Sequence, residues 1–190
     1  MAVAGLILAG GQATRFGGAD KAFIQLGGRP LLDHVVRRLT PQVSELAISA
    51  NGHPARFAAY GLPVLPDDPA FHDCGPLTGV LSGLRWAAMQ KKEFLLTAPV
   101  DTPFLPVDLC ARLLPGPAVA LQDGRLQPLI ALWPVTFTSG LEAFLRQPGK
   151  HKVSIAIAAC GARPVALSGS ESDFANINSP TDLQKFDMHQ

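Results

Sequence analysis

Between Leu8 and Lys21 the chain reads Leu-Ala-Gly-Gly-Gln-Ala-Thr-Arg-Phe-Gly-Gly-Ala-Asp-Lys. Glycines lack a Cβ, so their backbone N–H groups can close on an anion. Arg15 and Lys21 add cationic donors suited to phosphate oxygens. The loop directly follows Val3-Ala4-Gly5-Leu6-Ile7-Leu8, an apolar run that reads as a buried strand. Two common phosphate loops do not fit. A P-loop ends in Gly-Lys-Ser/Thr, whereas Lys21 stands between Asp20 and Ala22. No register of Gly10, Gly11, Gly17 and Gly18 gives the G-x-G-x-x-G of a dinucleotide site.

Four more segments carry residues of the right chemistry. After the apolar run Phe94–Ala98 comes Pro-Val-Asp-Thr-Pro-Phe-Leu-Pro, residues 99–106. It places Asp101 just past a strand, where a carboxylate can hold a hard cation against phosphate oxygens. Leu65-Pro66-Asp67-Asp68-Pro69, followed by Cys74-Gly75-Pro76-Leu77-Thr78-Gly79, offers two acids that alone would read as a polar turn. Ser49-Ala50-Asn51-Gly52-His53 offers an amide whose donor and acceptor suit a purine edge. Near the C-terminus, Phe174-Ala175-Asn176-Ile177-Asn178-Ser179-Pro180-Thr181-Asp182-Leu183 pairs two Asn with a helix start: Ser179 as cap, Pro180 in the first position, Asp182 in the first turn.

Taken in chain order, from Leu6 to Leu183, the segments resemble the nucleotidyltransferases that transfer a nucleoside monophosphate from an NTP, and within them the molybdenum cofactor guanylyltransferases. Phe16 stands where that family usually has Met, an exchange of one large apolar side chain for another. Gly10 stands where relatives using CTP, or acting on sugar or polyol phosphates, usually carry Ala.

The resemblance implies catalytic roles for Arg15, Lys21 and Asp101, with Asp101 binding Mg²⁺. It implies a nucleotide site built from Leu8, Ala9, Gly10, Gly11, Lys21, Ser49, Asn51, Asp67, Gly79 and Asp101. Asp68 is a neighbour that could stand in for Asp67, and either Ser49 or Asn51 could read the base. Asn176 and Asn178 fall on the pterin side, as does Gln127-Pro128 by a weaker match. The implied reaction is GTP plus Mo-molybdopterin giving the guanine dinucleotide cofactor and pyrophosphate. The implied partners are molybdoenzymes and a small GTP-binding accessory protein. The alternatives are a CTP-using relative and a silent module that only carries the cofactor.

The elements that must position these groups follow from periodicity. Strands are expected at Val3–Leu8, Glu45–Ser49, Val64–Leu65, Phe94–Ala98, Ala118–Leu121, Leu129–Trp133 and Val165–Leu167. Helices are expected at Leu31–Leu39, Leu77–Met89, Val107–Leu114, Phe137–Leu145, Val153–Cys160 and Thr181–Phe186. In the first helix Leu31, Val35, Val36 and Leu39 share one face, with Arg37 and Arg38 turned to solvent. Pro106 is expected inside the first turn of the Val107 helix.

Alternating strands and helices imply a parallel sheet covered on both faces, with ligands beyond the carboxyl ends of its strands. With the resemblance, this predicts an α/β fold: a three-layer α/β/α Rossmann-like domain with a mostly parallel central sheet, like that of the nucleotide-diphospho-sugar transferases. The 190 residues, 47% apolar and 16% charged, form a single domain over 1–190 with room for a proper core. The net charge of +1 argues against a nucleic-acid partner. No apolar run reaches a membrane span, and the apolar start lacks the basic region of a signal peptide. Cys74, Cys110 and Cys160 are odd in number and form no C-x-x-C, as expected of reduced thiols in the cytoplasm.

Overall fold

The computed structural model describes residues 1–10, 12–13, 19–71, 73–149, 151–167 and 174–187. A seven-stranded sheet forms from β1 (Val3–Leu8), β2 (Glu45–Ser49), β3 (Val64–Leu65), β4 (Phe94–Pro99), β5 (Ala118–Gln122), β6 (Arg125–Pro134) and β7 (Arg163–Ala166). Their order across the sheet is β7-β5-β6-β4-β1-β2-β3. All neighbours are parallel except the two pairs made by β6, so β6 alone runs against the rest. The helices are α1 (Leu31–Leu39), α2 (Pro76–Met89), α3 (Leu109–Leu113), α4 (Thr138–Leu145), α5 (Val153–Ala159) and α6 (Pro180–Asp187).

Successive strand residues point to opposite faces, and the core divides accordingly. Val3 and Ile7 pack with Leu32, Val35, Leu109 and Leu113 from α1 and α3. Ala4 and Leu6 pack with Leu81, Leu84, Leu141 and Ile157 from α2, α4 and α5. The result is the three-layer, mostly parallel architecture expected. A third, smaller cluster of Leu26, Leu31 and Ile177 takes in Phe104, Leu183 and Phe186. It fastens α6 against the ribbon formed by Gln25–Leu26 and Arg29–Pro30.

From β1 the chain fills one side of the sheet with β2 and β3, then returns through α2 to lay β4 on the other side of β1. The carboxyl end of β1 is therefore the switch point where such sheets leave a crevice. Register makes the edge level: Leu8 pairs with Ser49 and with Pro99, and Ser49 pairs with Leu65. The loops after Leu8, Ser49, Leu65 and Pro99 all leave the sheet from this one row.

Two expectations on elements are corrected. β6 begins at Arg125, not Leu129, because Asp123 (φ 47°) and Gly124 (φ 74°) close a two-residue hairpin with β5. The register breaks between Gln127 and Ala131, and that break is where Pro128 is accommodated. α3 begins at Leu109, so Pro106 and the exposed Val107 precede it. The Pro106 carbonyl instead accepts from Leu109 N–H and from the Gln42 amide. All three thiols are free, and among the described residues no helix is long and apolar enough to cross a membrane.

α2 lies close on the sheet because Gly79 and Gly83 face it. A Cβ at Gly83 would come within 2.5 Å of Leu6 Cδ2 and 2.9 Å of Leu95 Cδ2, both in fully buried side chains. Gly83→Val should therefore cost about 2 kcal/mol or more by overpacking. Thermal unfolding followed by circular dichroism should show Tm fall by about 4–8 °C. An unchanged Tm would mean that α2 has room to move off the sheet.

Candidate active site

A cavity of about 230 Å³ opens at the switch point. Leu8 and Gly10 reach it from β1, Ser49 from β2, Asp67 from the loop after β3, and Pro99, Val100 and Asp101 from β4. Gly75, Pro76 and Gly79 at the start of α2, Leu129 of β6, and Lys21 complete the lining among the described residues.

Lys21 opens a short 3-10 turn, Lys21–Phe23, whose first residues are held by Asp20: its carboxylate accepts from Ala22 N–H at 3.1 Å. From there Lys21 Nζ donates to Asp101 Oδ2 and to Asn178 Oδ1, each at 2.6 Å. Only 16% and 20% of the Lys21 and Asp101 side chains remain exposed, so each charge relies on the other. The Asp101 carbonyl accepts from Ile177 N–H at 2.8 Å, which binds the C-terminal segment to the loop after β4. Asp101 Oδ1 is buried and has no hydrogen-bond partner among the described residues.

At the other end of the row, Ser49 is buried and its carbonyl accepts from Ala9 N–H. A Cβ on Gly79 would come within 2.3 Å of Ser49 Oγ, so this helix position has to be glycine for the hydroxyl to sit where it does. Asn51 Nδ2 donates to Asp67 Oδ2 at 2.6 Å, and its Oδ1 accepts from Asp67 N–H at 2.9 Å. Gly75, ahead of α2, holds φ 66° and ψ −148°, which glycine alone adopts without strain. Among the described residues, a Cβ at Gly10 would have one neighbour, the Ser49 carbonyl at 4.0 Å. The packing of those residues therefore does not demand glycine there.

The structure brings Leu8, Gly10, Lys21, Ser49, Asp67, Gly79 and Asp101 together. Ala9 is buried and does not line the cavity. Asn51 reaches the site through Asp67, and Asn178 through Lys21. Asn176 is exposed and stands apart from the lining. Gly11, Arg15 and Phe16 lie outside the described residues. Asp68 does not stand in for Asp67: it pairs with Arg85 at 2.7 Å and accepts from Ala70 N–H, away from the cavity.

Known proteins place this arrangement in a family. The profile of the MobA-like NTP transferase domain matches residues 5–160. A molybdenum cofactor guanylyltransferase of Acidiphilium cryptum is 51% identical, over 94% of this chain and 90% of its own. One from Cereibacter sphaeroides is 52% identical, over 97% and 95%. The chain belongs to the molybdenum cofactor guanylyltransferases. The molybdopterin-guanine dinucleotide biosynthesis protein A of Archaeoglobus fulgidus shares the fold, with TM-score 0.76, 19% identity and 97% of each chain covered.

Against the residues expected of this guanylyltransferase, the lining adds Gly75, Pro76, Pro99, Val100 and Leu129. The first four lie inside motifs already recognised. The Leu129 position could be had from the sequence only through the Asp123-Gly124 hairpin signal, which sets where β6 begins. Even then the bulge that turns Leu129 to the cavity depends on a buried chain: Trp133 Nε1 donates to Thr97 Oγ1 at 3.0 Å, and Thr97 Oγ1 donates to the Leu129 carbonyl at 2.8 Å.

Beside the cavity, Arg85 bridges Asp68 and Glu142, each pair under 3 Å, and Arg146 also holds Glu142. The Arg85 bond, then the Ala70 N–H, holds the Asp68 carboxyl below its ordinary range, and Arg146 then Arg85 do the same for Glu142. A carboxyl lowered in the folded state adds stability above its unfolded pKa and loses it as pH falls through the folded value. Arg85→Met should thus have a lower Tm than the parent at pH 7, with the gap closing as pH drops below about 4. Differential scanning calorimetry from pH 7 to pH 2.5 checks this; a gap that persists in acid would put the effect of Arg85 in packing.

Proposed function

We propose that the chain transfers GMP from GTP to the terminal phosphate of Mo-molybdopterin, giving the guanine dinucleotide cofactor and pyrophosphate. The observation that carries this reading is the Lys21–Asp101–Asn178 knot, set in one cavity with Gly10, Ser49, Asp67 and Gly79. Charge-handling groups and base-side groups so share a single space at the strand ends.

In the transfer, an oxygen of the terminal phosphate of the pterin attacks the α-phosphorus, and the bond from that phosphorus to the pyrophosphate oxygen breaks. The attacker is already anionic, so no side-chain base is required. Positioning and charge stabilisation carry the rate. Lys21 offers an ammonium with three donors to the triphosphate oxygens. Asn178 orients that ammonium from the acceptor side. Arg15 acts with Lys21 on the charge developing at the α-phosphoryl group and the departing pyrophosphate. Leu8 and Gly10 present backbone to the guanine and ribose. Asp67, held by Asn51, faces the nucleoside beside Ser49.

Asp101 fits a hard divalent cation, Mg²⁺. Its Oδ1 is buried without a partner among the described residues while Oδ2 faces Lys21. No group of three or more His, Cys, Asp or Glu that could hold a metal occurs among the described residues. A cation held by one carboxylate plus substrate phosphates and water is the usual manner of Mg²⁺. Bound there, Mg²⁺ neutralises charge at the α-phosphate and templates the reacting groups.

The product passes to molybdoenzymes, with a small GTP-binding accessory protein as a further partner. The cytoplasm is the setting that three free thiols favour.

Pyrophosphate release from each of the four NTPs, with Mg²⁺ and with or without molybdenum cofactor, tests the reading. Release is expected with GTP alone, and only with the cofactor present. Release with CTP would reassign the nucleotide, and GTP binding without release would leave a carrier. Arg15→Ala should keep the parent Tm, Asp101→Asn should lower it because Lys21 loses its counter-charge, and each should lose about 10²-fold or more in kcat. Gly10→Ala should keep the fold and raise KM for GTP, since its methyl enters space the ligand needs.

A further inference from the structure

Arg56 belongs to neither the phosphate loop nor the nucleotide motifs. It sits on a short 3-10 helix, Pro54–Tyr60, beyond the loop after β2. Its guanidinium nevertheless gathers groups from both halves of the site. Nε lies 2.8 Å from Asp20 Oδ2, an ion pair rather than a hydrogen bond. Nη2 donates to the Asn51 carbonyl at 2.6 Å, and Nη1 to the His53 carbonyl at 3.2 Å. The guanidinium carbon stacks 4.5 Å from the centroid of Phe57, and the Phe57 ring stacks on Phe23 at 5.5 Å.

Each contact leads to a site residue. Asp20 caps the turn that carries Lys21, and Phe23 ends that turn. Asn51 holds Asp67 by two hydrogen bonds. The planar fork is the geometry that allows one side chain to satisfy several acceptors at once, which an ammonium cannot copy. Gly52 (φ 81°) leaves space for it: a Cβ there would come within 3.0 Å of Nη1. The Arg56 and Asp20 side chains are each about 30% exposed, so the pair adds little stability by itself. Its consequence is geometric.

We propose that Arg56 is a positioning residue for nucleotide binding. It ties the lysine-bearing turn to the Asn51–Asp67 loop, so that the phosphate-side and base-side contacts keep one spacing before the nucleotide arrives. A site held in advance loses less freedom on binding. The inference rests on the guanylyl-transfer reading for its substrate.

The test is steady-state kinetics and GTP titration calorimetry on Arg56→Ala, Arg56→Lys, Asp20→Asn and the double variant Arg56→Ala/Asp20→Asn, with Tm for each. Arg56→Ala should raise KM and Kd for GTP about tenfold, while KM for the pterin acceptor and Tm stay near the parent values. Arg56→Lys should recover only part of the loss. Asp20→Asn should weaken GTP in the same direction, and the double variant should be no worse than the poorer single one, because both break one link. Unchanged GTP affinity in Arg56→Ala overturns the inference. So do multiplying losses in the double variant, or a loss that falls equally on both substrates with a drop in Tm. If the parent protein transfers nothing, the proposed function fails by itself. GTP calorimetry then still decides: tenfold weaker binding in Arg56→Ala upholds the link, and equal binding removes it.

Discussion

The parallel pairing of β1 with a neighbour on each side is the constraint from which the rest of the site follows. Leu8 is level with Ser49 and with Pro99, and Ser49 with Leu65. Backbone hydrogen bonds continue past that row, from Ala9 to Ser49, Ala50 to Leu65 and Val100 to Leu8. The loops are therefore tethered where they begin. Four segments far apart in the chain deliver their polar residues at the same height because the ladder allows no other register with the apolar faces still buried.

That edge would be useless without close packing behind it. α2 starts at the cavity and runs back along the sheet, and its two sheet-facing glycines let it approach the strands. Gly79 serves both ends of the argument: it permits the approach and leaves the Ser49 hydroxyl its place. On the opposite flank, the small cluster around Leu26, Leu31 and Ile177 does what the main sheet cannot, drawing residues near the end of the chain to the loop after β4. The Phe104 and Phe186 rings meet at 5.0 Å in that cluster, and Asn178 arrives at Lys21 as a result.

Among the described residues, the cations in and around the site are paired before any substrate enters. Lys21 is matched by Asp101, Arg56 by Asp20, and Arg85 by Asp68 and Glu142. These pairs differ in what they do. The Arg85 network lies outside the cavity and braces α2 against α4. The Lys21–Asp101 pair lines the cavity, and both partners have chemistry to offer a triphosphate. Arg56 stands between, bonded to the backbone of one loop and ion-paired with the carboxylate that caps the lysine-bearing turn.

Most of the architecture was legible from local pattern. Hydrophobic period and flanking Pro and Gly marked each strand of the seven-stranded sheet and the six described helices, several to the residue, because buried parallel strands are near-continuous apolar runs and amphipathic helices show a stripe. The short ribbon Gln25–Leu26 with Arg29–Pro30 had no such signal. The ends slipped where local chemistry was subtler: the Asp-Gly hairpin moved the start of β6, and α3 waits past Pro106. Motif order pointed to the family, and seven of the expected site residues meet in one cavity. Only the folded chain decides which of two adjacent acids faces that cavity. Asp67 does so because Arg85, seventeen residues on, claims Asp68. Asn51 turned to Asp67, Leu129 placed by a buried Trp133–Thr97 chain, and Arg56 between two loops are likewise tertiary facts. Each depends on contacts between segments distant in sequence, for which a linear pattern has no period.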